Sequence, residues 1–297
     1  MKRIRIFLLF IACMAGSAEA QQIGLYTQYM FNPFVINPAI AGTHNYYQIR
    51  SNHRFQWVGI TDPPITNAVS FYGPDSKRDM GYGGYVLSDV SGPTSLTSIS
   101  GSYAYNIAVT NDIRLSMGMA LGLSQFKIDM DKIDFGETET AMNNNVISDF
   151  YPDAAVGLYL YATSFHVGFA AHQLIPNKIH VAVDSAKGLS KLKSHFYLSG
   201  GYKYFINREW AIEPTLILKH VGPVPPQLDL SCQVIYQNMV WGGLSFRTGD
   251  AINILIGYAH ENKIYVGYSY DIGFSRIRTV HSGSHELMLG YRFNKVK

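Results

Sequence analysis

Residues 112–126 read Asp-Ile-Arg-Leu-Ser-Met-Gly-Met-Ala-Leu-Gly-Leu-Ser-Gln-Phe, and this stretch decides the fold. Ile113, Leu115, Met117, Met119, Leu121 and Leu123 recur at every second position, with Arg114, Ser116, Gly118, Ala120, Gly122 and Ser124 between them. A helix would scatter those apolar residues around its surface, whereas the two-residue period of a strand sorts them onto one face. The other face is small rather than heavily charged. Such a strand turns its apolar side to lipid and its small side to a crowded or water-filled interior.

The same alternation runs through the chain. Tyr46, Gln48, Arg50, Asn52, Arg54 and Gln56 form one wholly hydrophilic face of 46–57. Leu228, Leu230, Cys232, Val234 and Tyr236 oppose Gln227, Asp229, Ser231 and Gln233. Ile264, Val266, Tyr268, Tyr270, Ile272 and Phe274 oppose Tyr265, Gly267, Ser269, Asp271 and Gly273. Leu287, Leu289, Tyr291 and Phe293 oppose Glu286, Met288, Gly290 and Arg292. Alternating segments fall at 46–57, 65–73, 80–88, 95–107, 112–126, 152–161, 164–172, 194–206, 209–221, 227–236, 239–247, 251–260, 263–274 and 284–293. About fourteen segments, an even number, predict an all-β transmembrane antiparallel β-barrel with both termini on the periplasmic side. Connections after even-numbered segments are short, as at Asn207-Arg208, Gln237-Asn238 and Glu261-Asn262, while those after odd-numbered ones include 127–151 and 173–193. Short periplasmic turns alternating with longer outer loops are a barrel pattern. Trp57, Tyr161, Tyr204, Trp210, Tyr236, Trp241 and Tyr291 lie near segment ends, where interfacial girdles are expected.

Composition and the chain start agree with export to a membrane. Lys2, Arg3 and Arg5 precede the apolar run Ile6–Met14, and Ala18-Glu19-Ala20 offers a cleavage site, so residues 1–20 read as a secretory signal. Cys13 offers a competing lipoprotein site, disfavoured by the bulky Phe10 three residues before it. The net charge of +3 comes from 24 basic and 21 acidic residues. Removing Lys2, Arg3, Arg5 and Glu19 leaves 21 against 20, so the excess belongs to the signal and no nucleic-acid partner is expected. Cys232 is then the sole cysteine, which rules out an intramolecular disulfide scaffold. Charged residues make up 15%, well below the quarter usual in soluble domains. No later run approaches the eighteen continuous apolar residues of a membrane helix.

No motif for chemistry completes itself. His285-Glu286-Leu287-Met288-Leu289 lacks the second histidine of a zinc protease and lies on a strand. Gly81-Tyr82-Gly83-Gly84 lacks the last glycine of a dinucleotide loop. Asp129, Asp131, Asp134, Glu137 and Glu139 do not match a calcium loop and read as a solvated surface. Gly243-Leu244-Ser245-Phe246-Arg247 lacks the closing glycine of a nucleophile elbow. His166 and His172 share one face and fit a polar lumen network. Neither enzyme activity nor a cofactor or metal is expected. Arg50, Arg54, Arg114, Lys203, Glu213, Lys219, Asp229, Arg247, Asp271, Glu286 and Arg292 all point inward in this reading and are expected to pair across the lumen.

One segment escapes the alternation. Residues 28–42 read Gln-Tyr-Met-Phe-Asn-Pro-Phe-Val-Ile-Asn-Pro-Ala-Ile-Ala-Gly. Two Asn-Pro pairs forbid a continuous helix, and the apolar content is too high for a free tail. Residues 21–45 are therefore expected to dock against the rim or lumen of a barrel spanning 46–297. Gln28, Tyr29, Asn32, Pro33, Asn37, Pro38, Ala39 and Gly42 are the candidate plug or partner-docking residues.

Here the chain resembles the PorP/SprF family of type IX secretion system membrane proteins. The resemblance is carried by Gln28-Tyr29, Asn32, Asn37-Pro38-Ala39 and Gly42, then by Asn52-His53-Arg54, Gln56-Trp57 and Gly59, and finally by His285-Glu286-Leu287 and Gly290-Tyr291. It implies an outer-membrane component of the Bacteroidota secretion and gliding machinery. The partners it implies are secreted surface proteins such as adhesins, or periplasmic ring components. The alternative is a general porin or small-solute transporter.

Overall fold

A computed structural model describes residues 26–132, 146–183, 186–222, 224–274 and 276–295. The expected export signal lies outside these residues. Fourteen strands pair in chain order: β1 Tyr47–Phe55, β2 Ile65–Pro74, β3 Met80–Ser91, β4 Thr94–Ala108, β5 Arg114–Asp129, β6 Val146–Tyr161, β7 Phe165–His172, β8 His195–Tyr202, β9 Trp210–Val221, β10 Val224–Tyr236, β11 Val240–Arg247, β12 Ala251–His260, β13 Ile264–Gly273 and β14 Ser284–Phe293. β8 resumes after Lys203 as Tyr204–Phe205, still paired to β9. β1 also pairs with β14, from Tyr47 opposite Phe293 to Phe55 opposite His285, so the sheet closes on itself. Closure leaves no open edge, which is the condition for a sheet to stand in hydrocarbon. The architecture is an all-β antiparallel barrel.

β1 begins and β14 ends at the same end of the barrel, called here the near end. Tight turns close the strands there. Gln237 and Asn238, and likewise Glu261 and Asn262, are paired residues with positive φ, as two-residue hairpins require. Asn207 closes another turn by accepting hydrogen bonds from the Glu209 and Trp210 amides, each at 2.8 Å.

The alternation sorts side chains as the sequence predicts. Leu121 and Ile99 are about 60% exposed on the outer face, whereas Asn52, Asn253, Ser269 and Glu286 are almost completely buried on the inner one. Tyr82, Tyr105, Tyr202, Tyr204, Trp210, Tyr258 and Tyr291 are exposed near the near end, as an interfacial girdle requires. Two residues assigned to that girdle do not belong to it. Trp241 is buried, its ring 4.6 Å from Phe31, and Tyr161 turns inward to donate to Asn106 Oδ1 at 3.1 Å. Both stand on the inner parity of their strands, and parity overrides their place near a strand end.

The far-end connections differ from expectation. β5 runs on to Asp129 and β6 begins at Val146, so both ends of the stretch expected as loop 127–151 are strand. The alternation in the sequence places the start of this strand at Pro152. The proline is tolerated inside β6 because β7 pairs only from Val156 onward, so no strand on that side needs an amide from Pro152, and the Asn177 side chain donates to its carbonyl at 2.7 Å. Within 173–193, Lys178–Val183 and Ala186–Lys191 pair as a separate hairpin. The acidic positions Asp134, Glu137 and Glu139 lie outside the described residues.

Candidate functional site

The segment that escapes the alternation fills the barrel. Tyr26 packs with Val35, Ala68 and Leu87 in the far half of the lumen, and the chain works back to the near end, where β1 begins. Three short 3₁₀ turns carry it: Tyr29–Phe31, Pro33–Val35 and Pro38–Ile40. Each proline opens its turn, where the fixed φ suits and no amide hydrogen is needed. Phe34, Ala39, Ile40 and Ala41 are at most 1% exposed. Burying side chains such as Phe34 and Ile40 contributes roughly 1.5–3 kcal/mol each.

Three polar anchors hold this plug to the wall. At the far end the Glu286 carboxylate accepts from the Thr27 amide at 2.7 Å and the Gln28 amide at 3.1 Å. The Thr27 hydroxyl donates to Asp271 at 2.9 Å and accepts from Arg54 at 2.7 Å and Arg247 at 3.3 Å. Arg54 pairs with Asp271 at 2.6 Å and Glu286 at 3.4 Å, while Arg247 pairs with Asp229 at 3.0 Å and Asp250 at 3.2 Å. All of these except Asp250 are nearly fully buried, so the pairing neutralises charge that isolation would make very costly. In the middle, Asn32 donates to Asn52 at 2.9 Å and accepts from Ser70 at 2.8 Å. Toward the near end, Asn37 accepts from the Ala39 amide at 2.9 Å and donates to the Leu158 and Phe169 carbonyls at 3.0 and 3.3 Å. His172 adds a hydrogen bond to the Ile36 carbonyl.

The wall is cut to receive the plug. A β-carbon at Gly118 would stand 2.3 Å from Ala39 N, one at Gly81 2.3 Å from Ala41 C, and one at Gly157 2.0 Å from Asn37 Oδ1. At Gly267 it would meet the Gln28 side chain at 2.3 Å. Four strands thus lack a side chain where the plug lies closest. Gly42 ends the segment with φ +75, a conformation glycine adopts without strain, and packs on Gly81.

Among the residues expected to act, Gln28, Asn32 and Asn37 are the polar anchors, Pro33, Pro38 and Gly42 set the path, and Tyr29 and Ala39 are buried in it. Tyr29 lies against Ile36, Ala170, Tyr197 and Ile217. Arg54, Asp229, Asp271 and Glu286 come together around Thr27. Arg50 and Arg292 form a separate group: both guanidinium carbons sit over the Tyr265 ring, at 4.5 and 4.1 Å from its centre. Arg114 does not join a cross-lumen network. It pairs with Asp79 at the near rim, because β5 starts there and the β2–β3 turn brings Asp79 within reach. Sequence reasoning missed Thr27, Ser70 and the role of the wall glycines. The inward glycines were visible, but nothing in the sequence said what they face. Among the described residues no group of three metal-ligating side chains forms.

Solved structures share the fold. A Pseudomonas putida toluene transporter, TodX, is 9% identical, with 87% of this chain and 92% of that one covered and a TM-score of 0.54. The monoaromatic hydrocarbon channel CymD is 12% identical, with 94% and 95% covered and a TM-score of 0.54. A Pseudomonas aeruginosa FadL homologue is 10% identical, with 84% and 90% covered and a TM-score of 0.50. At such identities the likeness is one of fold alone. No curated protein matches the chain. The family described as "Type IX secretion system membrane protein PorP/SprF" matches residues 18–291, nearly the whole chain. An outer-membrane barrel with this match along its length belongs to the PorP/SprF family of type IX secretion system membrane proteins.

Proposed function

We propose that the protein is a plugged, non-enzymatic barrel that docks or displays a secreted surface protein, such as an adhesin, or links the outer membrane to periplasmic ring components. In this reading residues 1–20 are removed on export, and the near end, with its short turns, faces the periplasm. The observation that carries the proposal is the seating of residues 26–42: glycines on four strands make room for the plug, Glu286 binds its backbone amides, and its own Asn37 grips the wall carbonyls of Leu158 and Phe169. A general porin needs an open aqueous path, and a filled lumen argues against one.

Replacing Asn32, Asn37 and Pro38 together tests this. The strands are complete without the plug, so the barrel should insert and remain heat-modifiable on a denaturing gel. Surface display of the cognate secreted protein should fall. Normal display with normal barrel levels refutes the docking role, and loss of the barrel assigns the segment to folding instead. A second reading, passage of small solutes, draws on the cavity of about 510 Å3 beside the plug. TodX and CymD are described as a toluene transporter and a hydrocarbon channel. Solute uptake through the purified barrel in liposomes would favour that reading.

A further inference from the structure

The plug does not fill the lumen evenly. Between it and the wall of β6, β7, β8 and β9 lies a cavity of about 510 Å3 that reaches the β6–β7 turn, residues 162–164, at the near end. This is within the size range of small-ligand sites, which join apolar walls to a few converging polar groups. One wall is an aromatic column, with the Tyr159 ring 5.6 Å from both Tyr161 and His166 and stacked with each. The plug supplies Met30 and Ile36 opposite. Glu213 also lines the cavity and is partly buried, and no hydrogen bond or ion pair within the structure engages its carboxylate among the described residues. Lys203 stands near enough for its charge to act on Glu213, with no ion pair between them, and both nearby cations have partners of their own. Lys203 donates to Asn238 at 3.1 Å and lies over the Phe205 ring, and Arg114 pairs with Asp79.

We propose that this cavity binds an organic cation bearing an aromatic or apolar group, its ammonium or guanidinium meeting Glu213 and its apolar part resting on the Tyr159 column. A carboxylate in a partly dry site gains from a cationic partner, and aromatic faces attract the same charge. The ligand is a free organic cation or a basic side chain next to an aromatic one on a partner peptide. The site is distinct from the anchors that seat the plug, and binding is read on purified protein, so its failure leaves the docking proposal untouched.

Calorimetry on the full-length barrel in detergent decides the matter, with phenethylammonium, its neutral isostere 2-phenylethanol, and the peptide acetyl-Phe-Lys-amide as probes. Phenethylammonium should bind at least tenfold more tightly than 2-phenylethanol. Glu213→Gln should abolish that preference while leaving the alcohol unchanged. Thr163→Trp, in an exposed turn at the cavity mouth, should weaken all three probes and serves if the first variant fails to fold. Tighter binding of the peptide assigns the site to a partner's side chains, and tighter binding of the amine to a free cation. Equal affinity for amine and alcohol, or binding by neither cationic probe, overturns the proposal.

Discussion

Gly118→Ala adds one methyl group to the inner face of β5 and tests whether the wall is shaped for the plug. Its β-carbon would lie 2.3 Å from Ala39 N and 2.5 Å from both Ala39 Cα and Pro38 C. These are backbone atoms, so no side chain can swing aside. An ordinary contact needs at least 3.4 Å, so the turn at Pro38–Ile40 must move by about 1 Å. Overpacking of this kind costs about 1–3 kcal/mol. The shift also loosens the bonds from Asn37 to the Leu158 and Phe169 carbonyls, each contributing about 0.5–1.5 kcal/mol. Together the plug should lose about 2–6 kcal/mol of seating free energy. Hydrogen exchange reads this directly. The Ile40 and Ala41 amides bond within the turn and to its flank, to Asn37 O at 3.1 Å and Pro38 O at 3.3 Å. Their exchange should quicken by roughly one to four orders of magnitude on the scale of about 1.4 kcal/mol per decade, while amides of β10–β13 keep their protection. Gly101→Ala, where a β-carbon meets nothing within 4 Å, is the control and should change neither. If Gly118→Ala leaves the plug amides as protected as in the parent, the close approach places no constraint on the plug and the reasoning fails.

Other perturbations probe the anchors, the lipid face and the orientation. Glu286→Gln keeps the shape but removes the charge that accepts the Thr27 and Gln28 amides and faces Arg54; plug amides should exchange faster by tenfold or more, as measured in the same experiment, with the barrel still heat-modifiable. Leu121→Arg, at the most exposed large apolar residue of β5, should cost about 2–4 kcal/mol in denaturant unfolding if it meets the midplane of the membrane; Leu121→Ala should cost far less, and the reverse order would show the faces inverted. On intact cells an impermeant thiol reagent should modify Lys132→Cys at the far end and spare Asn262→Cys at the near end. Cys232, on the outer face of β10, should stay unreactive within the lipid. Equal labelling of the two introduced cysteines would refute the orientation.

The barrel was legible in the sequence because lipid outside and protein inside impose opposite demands on successive residues of a strand. That rule acts locally, residue by residue, so Ile113 to Leu123 could be sorted without knowing any neighbour. The even count of such segments agrees with β1 starting and β14 ending at one end, and the expulsion of residues 28–42 from the wall followed from their failure to alternate. The Asn-Pro pairs could be read as turns for the same reason: proline's constraint on φ is a property of the residue and not of the fold. What the sequence left undetermined depends on distance across the lumen. Trp241 and Tyr161 were assigned to the girdle by their place near a strand end, but inner parity set them against Phe31 and Asn106. The ends of β5 and β6 were misjudged because Pro152 is harmless only when the strand beside it stops short, a fact of pairing and not of composition. Gly118, Gly157 and Gly267 looked like small lumen residues in general. Only the closed barrel shows that they face Ala39, Asn37 and Gln28, residues more than seventy positions away in the chain. Thr27 carries no mark in the sequence. It becomes the meeting point of Arg54, Arg247 and Asp271 because closure brings β1, β11 and β13 around one point, and long-range convergence of that kind has no period for a sequence to display.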